Sequence, residues 1–567
     1  MTQAHPMSAP RLQPRIDPEQ ARRWKASGAW EDLTLADRAQ ALAQQAPTHV
    51  THREAGVSLT AAQAWARSGR LVAALAAQGF VAGDVIAFQT PNWLEAVLIN
   101  LAAARLGLVV CPIVPIYRER EVELILADCG AKGIFVPERF RGFDHLAMVQ
   151  GLRARLPALR HVWSVRGETP TPGVTDLRAL LESDAPLPAL PRTDPDAVKL
   201  ILYTSGTTGR PKAVLHSHNS LARSMRRAAQ HWGLRPGDTT LMPSPITHVT
   251  GYTYGLELPF HDRVRAVLMD KWDAAAAADL IEAEQVVFTL CATPFLQELL
   301  ELAEREQRPL PSLRTFPCGG AAVPPELIHR VARVFANCRS FRVYGSSEAP
   351  VITLGYVLPG QERLAAETDG EVIDYEVKLV DPNGDEVGPG REGEICARGP
   401  GLFLGYANPE DTAQVFDAQG YFHTGDVGYR TPEGAIVFTG RIKDLINRGG
   451  EKISAKEVED LLHQHPGVLQ AAVVAMPHPR LGETVCAYLV AAPGSDVSIE
   501  AVSRTLAAAG VARQKMPEKL VVVDAFPTTA SGKVKKDLLR ADVRERLAQA
   551  ALTASAPPSA PAAPAAP

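Results

Sequence analysis

The sequence predicts an α/β protein. A large N-terminal domain of parallel-type sheets sandwiched by helices carries a β-rich subregion, and a small α/β domain follows it. Three observations lead there. Strand-like and helix-like segments alternate along most of the chain, the pattern of parallel sheets covered by helices. From about Asp369 to Gly440 the pattern turns to short strands between Gly-rich turns. From Arg441 a new stretch begins its own α/β alternation, long enough for a second domain.

Taken in order, VIAF (85–88) reads as a strand. Asn92 is placed to cap a helix through WLEAVLINLAAARL, which stops at Gly107. VVCPIV is the next strand. Residues 274–284 read as a helix, VVFTLC (286–291) as a strand, and PFLQELLELAERE as a helix opened by Pro294. TFPC (315–318), the helix PPELIHRVARVF and FRVY (341–344) continue the alternation. EVKLVD, GEICARG and AIVFTG are the short strands of the β-rich subregion. In the last stretch, Ser454 and Glu457 predict a capping box. Strands LQAAVVAM, ETVCAYLVA and KLVVVD follow, with a helix near 498–509. The expected organisation is a flexible, Pro-rich 1–17, an N-terminal domain over 18–440, a C-terminal domain over 441–552 and a disordered Ala/Pro tail over 553–567.

Bulk properties narrow the function. The chain has 567 residues, too many for one core. Its 46% hydrophobic and 22% charged residues are ordinary for a globular enzyme. A net charge of −4 gives no broad attraction to nucleic acid. The seven cysteines are scattered without a C-x-x-C pair, which fits a reducing compartment. No apolar run is long enough for an integral membrane segment, and the N-terminus lacks the apolar core of a signal peptide. A cytoplasmic protein, monomer or homodimer, is expected.

YTSGTTGRPK (203–212) sits between two apolar runs. Its glycines and lysine do not have Walker A spacing, and no Ser/Thr follows Lys212. The extended AVLHSH follows where Walker A needs a helix, so KLILY, loop and AVLHSH read as a hairpin. Hydroxyls of Thr204, Ser205, Thr207 and Thr208, with amides at Gly206 and Gly209 and the charge of Lys212, would make an anion-binding nest. A short loop of this composition is also an ordinary turn.

Four further stretches sharpen the reading: VYGSSEAP (343–350), YFHTGDVG (421–428), GRIKDLINRGGEKIS (440–454) and PTTASGKVKK (527–536). With the loop, in this order, they resemble the signature motifs of the adenylate-forming superfamily, which contains acyl-CoA synthetases, luciferases and peptide-synthetase adenylation domains. The resemblance spans about residues 20–545. It implies a two-step reaction: a carboxylate attacks the α-phosphate of ATP, and a thiol, usually of coenzyme A, then takes the acyl group. It implies Lys533 as the cation bridging carboxylate and α-phosphate, Glu348 with Thr204 or Thr208 as ligands of Mg²⁺, and Tyr344 against adenine. Gly345, Ser346 and Ser347 belong to the same nucleotide motif. The resemblance also implies that Gly320 and Ala321 pass their backbone along adenine and acyl group, and that Asp426 with Arg441 holds the ribose. The small domain is implied to be mobile, with Lys443 at the hinge, Gly449 and Gly450 lining a pantetheine tunnel and Lys452 meeting phosphate. SPITHVTGYTYG (244–255) is implied to border the acyl pocket, with His248 near the carboxylate and Val249, Tyr252, Phe295, Ala321, Ala322 and Val351 as walls. The wording is closest to bacterial short- and medium-chain acyl-CoA synthetases and cyclohexanecarboxylate–CoA ligases. A medium-chain or alicyclic acid is therefore the expected substrate. An aryl acid–CoA ligase and an enzyme loading a carrier-protein thiol are the alternatives. Ala213 and Ser347 depart from the commoner Gly and Thr of the family, which puts fine geometry in question but keeps a small residue and a hydroxyl.

Overall fold

The computed structural model describes residues 12, 14–190, 192–204, 211–320, 323–449, 451–508, 511–529 and 532–554, without the side chains of Lys452 and of 550–554. The chain forms two compact units. The first runs to Thr424 and takes up Gly428–Phe438; the second comprises Gly425–Val427, Thr439–Thr529 and the chain from Lys533.

Two seven-stranded sheets organise the first unit. One runs in the order Arg339–Val343, Thr315–Gly319, Phe288–Thr289, Thr239–Met242, Arg265–Leu268, Val50–Glu54, Val57–Thr60. All its pairs are parallel except the last. The other runs Lys212–Ser217, Val198–Thr204, Val109–Pro112, Val85–Phe88, Gly133–Pro137, His161–Val165, Thr175–Asp176, antiparallel only at the first pair. That antiparallel pair is the expected hairpin, with Thr204 opposite Lys212. Helix Leu94–Leu106 touches strands of both sheets. It is apolar almost all round, as an element buried on every side must be. It ends on Gly107 at φ 72°, the left-handed cap expected of it.

Its start differs from expectation. Asn92 does not cap the helix. Its amide donates to the carbonyls of Met242 and Ser244 at 3.1 and 2.9 Å, and its Oδ1 accepts from the Ile246 N–H at 3.0 Å. Glu54 takes over the capping, accepting from the Leu94 N–H at 2.8 Å. A buried side-chain amide with three partners is worth more as a tie than as a cap.

The β-rich subregion is a four-stranded sheet, Glu376–Val380, Gly393–Arg398, Phe422–Arg430, Ile436–Arg441. Its inner face packs Leu379, Ile395, Ala397 and Ile436 against Tyr344 and Ile352. Before the first helix, Arg15 donates its N–H to the Leu404 carbonyl at 2.6 Å and lies over the Phe416 ring.

The second unit is built on a five-stranded sheet. Val468–His478, Gly482–Ala491 and Lys519–Val522 are the expected strands, and Ile499–Ala508 the expected helix. Two apolar clusters accompany this sheet, one with Ile446, Val458, Leu462 and Val502, the other with Tyr488, Phe526 and Leu539. Only half of the predicted capping box forms. Ser454 Oγ accepts from the Glu457 N–H at 3.2 Å. The Glu457 carboxylate goes instead to Lys515 Nζ at 2.6 and 2.8 Å, because a cation attracts it more strongly than a backbone amide. Among the described residues no helix is long and apolar enough to cross a membrane.

Candidate active site

The site follows from strand direction. In the first sheet Arg339–Val343, Thr315–Gly319 and Thr239–Met242 all run the same way, so the segments leaving them emerge at one edge. Those segments are Tyr344–Glu348, Gly320 and Pro243–His248, three of the stretches singled out from sequence. The carboxyl edge of a parallel sheet is where α/β proteins bind ligands.

Gly319 pairs with Val343, and a Cβ on Gly319 would lie 2.5 Å from the Val343 carbonyl. Gly320 follows at φ 78°, a conformation glycine adopts freely. Gly345 is equally constrained: a Cβ there would lie 2.3 Å from the Pro350 carbonyl. The turn after it is closed by Ser346, whose N–H donates to Ala349 O at 2.8 Å and whose Oγ accepts from the N–H groups of Glu348 and Ala349, both at 3.2 Å. Tyr344 is buried, 8% exposed, and stacks on Phe438 with ring centroids 5.7 Å apart. Beneath the turn, Arg342 forms a bidentate pair with Asp369, both Nη2 contacts at 2.8 Å. Asp369 also accepts from the Phe438 N–H at 2.7 Å.

The hairpin of the second sheet is tied to this turn. His216 donates Nε2–H to the Ser347 carbonyl at 2.7 Å, which leaves Nδ1 to accept from Ser220 Oγ at 3.2 Å. Both nitrogens are used by the neutral ring, and burial holds its pKa down to about 4. Residues Leu404–Ala407 pair with the hairpin strand through Leu404 N to Leu215 O (2.8 Å), Leu215 N to Gly405 O (3.0 Å) and Ala407 N to Ala213 O (2.9 Å). This brings Tyr406 between two predicted site residues. Its OH donates to Glu348 Oε1 at 2.9 Å. Lys212 Nζ lies 4.8 Å from its ring centroid and 3.5 Å from Asp411 Oδ1. Burial, together with the Glu348 carboxylate, raises the Tyr406 phenol, so it stays a donor.

Lys212, Glu348, Ser347, Ser346, Gly345, Tyr344 and Gly320 are thus assembled on two neighbouring edges, with Thr204 paired to Lys212. Sequence reasoning missed Tyr406, Asp411 and His216. Ser205, Gly206, Thr207, Thr208, Gly209 and Ala321, with Ala322, lie outside the described residues.

His248 is half-buried at the start of the π-helical segment Gly251–Glu257, its carbonyl accepting from the Tyr252 N–H at 2.8 Å. Tyr252 is not a pocket wall. It is fully buried, and its OH donates to Asn100 Oδ1 at 2.5 Å, where Asn100 Nδ2 donates to Glu257 at 3.1 Å and Glu257 pairs with Lys199. Its hydroxyl is drawn inward by that polar network. Val249 and Phe295 are half-buried and Val351 is buried.

Within the second unit, Asp426 is buried and pairs with Arg441 Nε at 3.1 Å. Lys443 is exposed in the turn Ile442–Asp444, and Asp444 is paired with Arg540. Burial would raise the Asp444 carboxyl, but Lys536 and Arg540 carry it below the ordinary range. Gly449 sits at φ 61°, its N–H donating to Leu481 O at 2.8 Å. Lys533 is paired with Thr529: its N–H donates to Thr529 Oγ1 at 3.1 Å and its carbonyl accepts from the Thr529 N–H at 2.7 Å. Gly450 and the Lys452 side chain lie outside the description.

Glycine-lined turns at the carboxyl edge of a parallel sheet, with a lysine-bearing hairpin and a carboxylate beside them, define an α/β enzyme that handles an anionic ligand. The chain belongs to the AMP-binding enzyme family. That family's model matches residues 38–407, and the model of the AMP-binding enzyme C-terminal domain matches residues 457–533. The chain is 36% identical to the medium-chain fatty-acid–CoA ligase of Escherichia coli (strain K12) over 93% of both chains. It is 34% identical to the 2-hydroxy-7-methoxy-5-methyl-1-naphthoate–CoA ligase of Streptomyces carzinostaticus, over 92% of this chain and 95% of that one. Among solved structures it resembles ATP-bound MatB from Rhodopseudomonas palustris, with TM-score 0.80 and 26% identity over 91% of this chain and 100% of the other.

Proposed function

We propose that this enzyme is an ATP-dependent carboxylic acid–CoA ligase that activates a medium-chain fatty or alicyclic acid as its acyl-adenylate and passes the acyl group to coenzyme A. The observation that carries the chemistry is the contact chain Lys212–Tyr406–Glu348, which couples the hairpin to the nucleotide turn. Moving an acyl group onto the α-phosphate brings two anions together, so the site must supply cations and fixed donors. Lys212 and the hairpin amides take the departing β- and γ-phosphates. Tyr344 and the Gly320 backbone take adenine, and Asp426 with Arg441 takes the ribose. Lys533 bridges carboxylate and α-phosphate in the first step. Lys443, Gly449, Gly450 and Lys452 serve the thiol step after the C-terminal domain turns.

The donors available for Mg²⁺ are the half-buried Glu348 carboxylate, with one oxygen on Tyr406, and the Thr204 hydroxyl; Thr208 lies outside the described residues. An all-oxygen set suits this ion. Bound there, Mg²⁺ would neutralise phosphate charge.

For the acid, the candidate walls that remain among the described residues, Val249, Phe295 and Val351, are apolar, which favours a hydrocarbon tail, as does the name of the E. coli relative. The naphthoate–CoA ligase supports an aryl acid as the second reading. The test is a panel of straight-chain, alicyclic and aryl acids, reading AMP release with CoA, then with a phosphopantetheinylated carrier protein. Preference for medium-chain or alicyclic acids with CoA is expected. Turnover confined to aryl acids, or to the carrier, would overturn this assignment.

A further inference from the structure

On the outer face of the β-rich sheet three different metal-ligand side chains converge. Glu394 and Cys396 are two apart on strand Gly393–Arg398, so they share a face, and the alternate Ile395 and Ala397 point into the apolar core. His423 comes from the strand Phe422–Arg430 beside it; Thr424 Oγ1 donating to Ile395 O at 2.7 Å fixes the register. His423 Nδ1 lies 3.4 Å from Cys396 Sγ and 2.8 Å from Glu394 Oε2, and all three ligand atoms fall within 4.8 Å of one another.

We propose that Glu394, Cys396 and His423 form a binding site for a thiophilic divalent cation of the zinc class, apart from the nucleotide site. Tetrahedral zinc has bonds of about 2.0–2.3 Å, so its ligand atoms stand roughly 3.3–3.7 Å apart. The sulfur–nitrogen separation already has that value. The nitrogen–oxygen contact is a hydrogen bond and opens by about half an ångström on binding. Thiolate, imidazole and carboxylate together select zinc-like ions over magnesium or calcium. Cys396 is buried, while the His423 and Glu394 side chains are 31% and 19% exposed, which leaves an entry path and a fourth position for water.

Charge around the site balances. Burial and Glu394 push the Cys396 thiol up to about 12, with Asp417 adding to this and Lys378 opposing it. Lys378, across the sheet from Cys396, is paired with Asp417 at 2.6 Å and Gln419 at 2.9 Å, so its charge is largely spent. Binding forms a metal–sulfur bond and releases one thiol proton. His423 keeps its proton by moving it from Nδ1 to Nε2. The bound ion clasps two strands just before Thr424-Gly425-Asp426.

The experiment titrates the chelator-treated full-length protein with Co²⁺. One equivalent is expected to give a thiolate-to-cobalt charge-transfer band, which Zn²⁺ then bleaches, and either ion is expected to raise the melting temperature. C396S should lose the band, and H423Q and E394Q, which keep the thiol, should weaken binding at least tenfold. Circular dichroism without metal checks that each variant folds; the two variants that retain Cys396 keep the test decisive if C396S does not. No thiolate band in the parent, or an undiminished band in all three variants, would overturn the proposal.

Discussion

Removing one hydroxyl tests the link between the hairpin and the turn at 344–348. Tyr406→Phe deletes the donor to Glu348 Oε1 and little else. The ring keeps its edge contact with Phe403 at 5.0 Å and its place beside Lys212, and the backbone N–H keeps Thr412 Oγ1 at 2.9 Å. A hydrogen bond to a charged group contributes about 1.5–3 kcal/mol. Glu348 is half-buried, so water replaces part of that loss and the lower half of the range applies to stability. Under the proposed role of Glu348 the bond must persist through adenylation, where replacement by water disturbs the geometry. The expected loss in kcat/KM for adenylation is then roughly 10–100-fold. ATP–pyrophosphate exchange with the preferred acid measures it, and thioester formation from supplied acyl-adenylate serves as the control. A folded variant with unchanged exchange would refute the claim that Tyr406 positions Glu348.

Three other outcomes are expected. Lys199→Met strands the buried Glu257 carboxylate and should cost about 3–5 kcal/mol in chemical denaturation, whereas the Lys199→Met/Glu257→Gln double variant recovers much of it; additive single effects would disprove the coupling. Burial holds His52 at about 3 and His145 and His216 at about 4, so unfolding takes up their protons below the ordinary histidine pKa of about 6.5. Stability should be full above that value and fall on acidification, by about 3 kcal/mol between pH 6.5 and 5.5 for the three together, read from urea midpoints; a flat profile there would contradict their burial as neutral rings. Lys533→Ala should abolish adenylation yet largely spare thioester formation from supplied acyl-adenylate, and Gly449→Val should do the converse because a β-branched residue resists φ 61°. Equal loss in both half-reactions would remove the division of labour.

The strands and helices were legible because their apolar patterns are local. The hairpin was legible for the same reason, and its failure as Walker A followed from spacing and from the extended segment after it. Tyr406 and Asp411 were not legible: they reach Lys212 only because Leu404–Ala407 pairs with the hairpin strand, and that pairing leaves no mark near residue 212. YANPE did carry a weak signal, an aromatic just ahead of an Asn-capped helix. Asn92 and Tyr252 misled for a related reason. Each has a good local reading, as cap or as pocket wall. Each is claimed by distant buried polar groups, the Met242–Ile246 backbone and the Asn100–Glu257–Lys199 network.

That contrast explains how the first unit assembles this edge. Parallel strands deliver their following segments to one edge whatever those segments contain, so the edge needs no specific side chain to form. Joining the two sheets takes two side chains and one backbone N–H. His216 reaches the Ser347 carbonyl, the Phe403 N–H donates to the Glu348 carbonyl at 2.8 Å, and Tyr406 reaches the Glu348 carboxylate. All three contacts fall on residues 347 and 348. The turn at 344–348 is therefore held from the hairpin side at Ser347 and Glu348, the residues bearing the hydroxyl and the carboxylate.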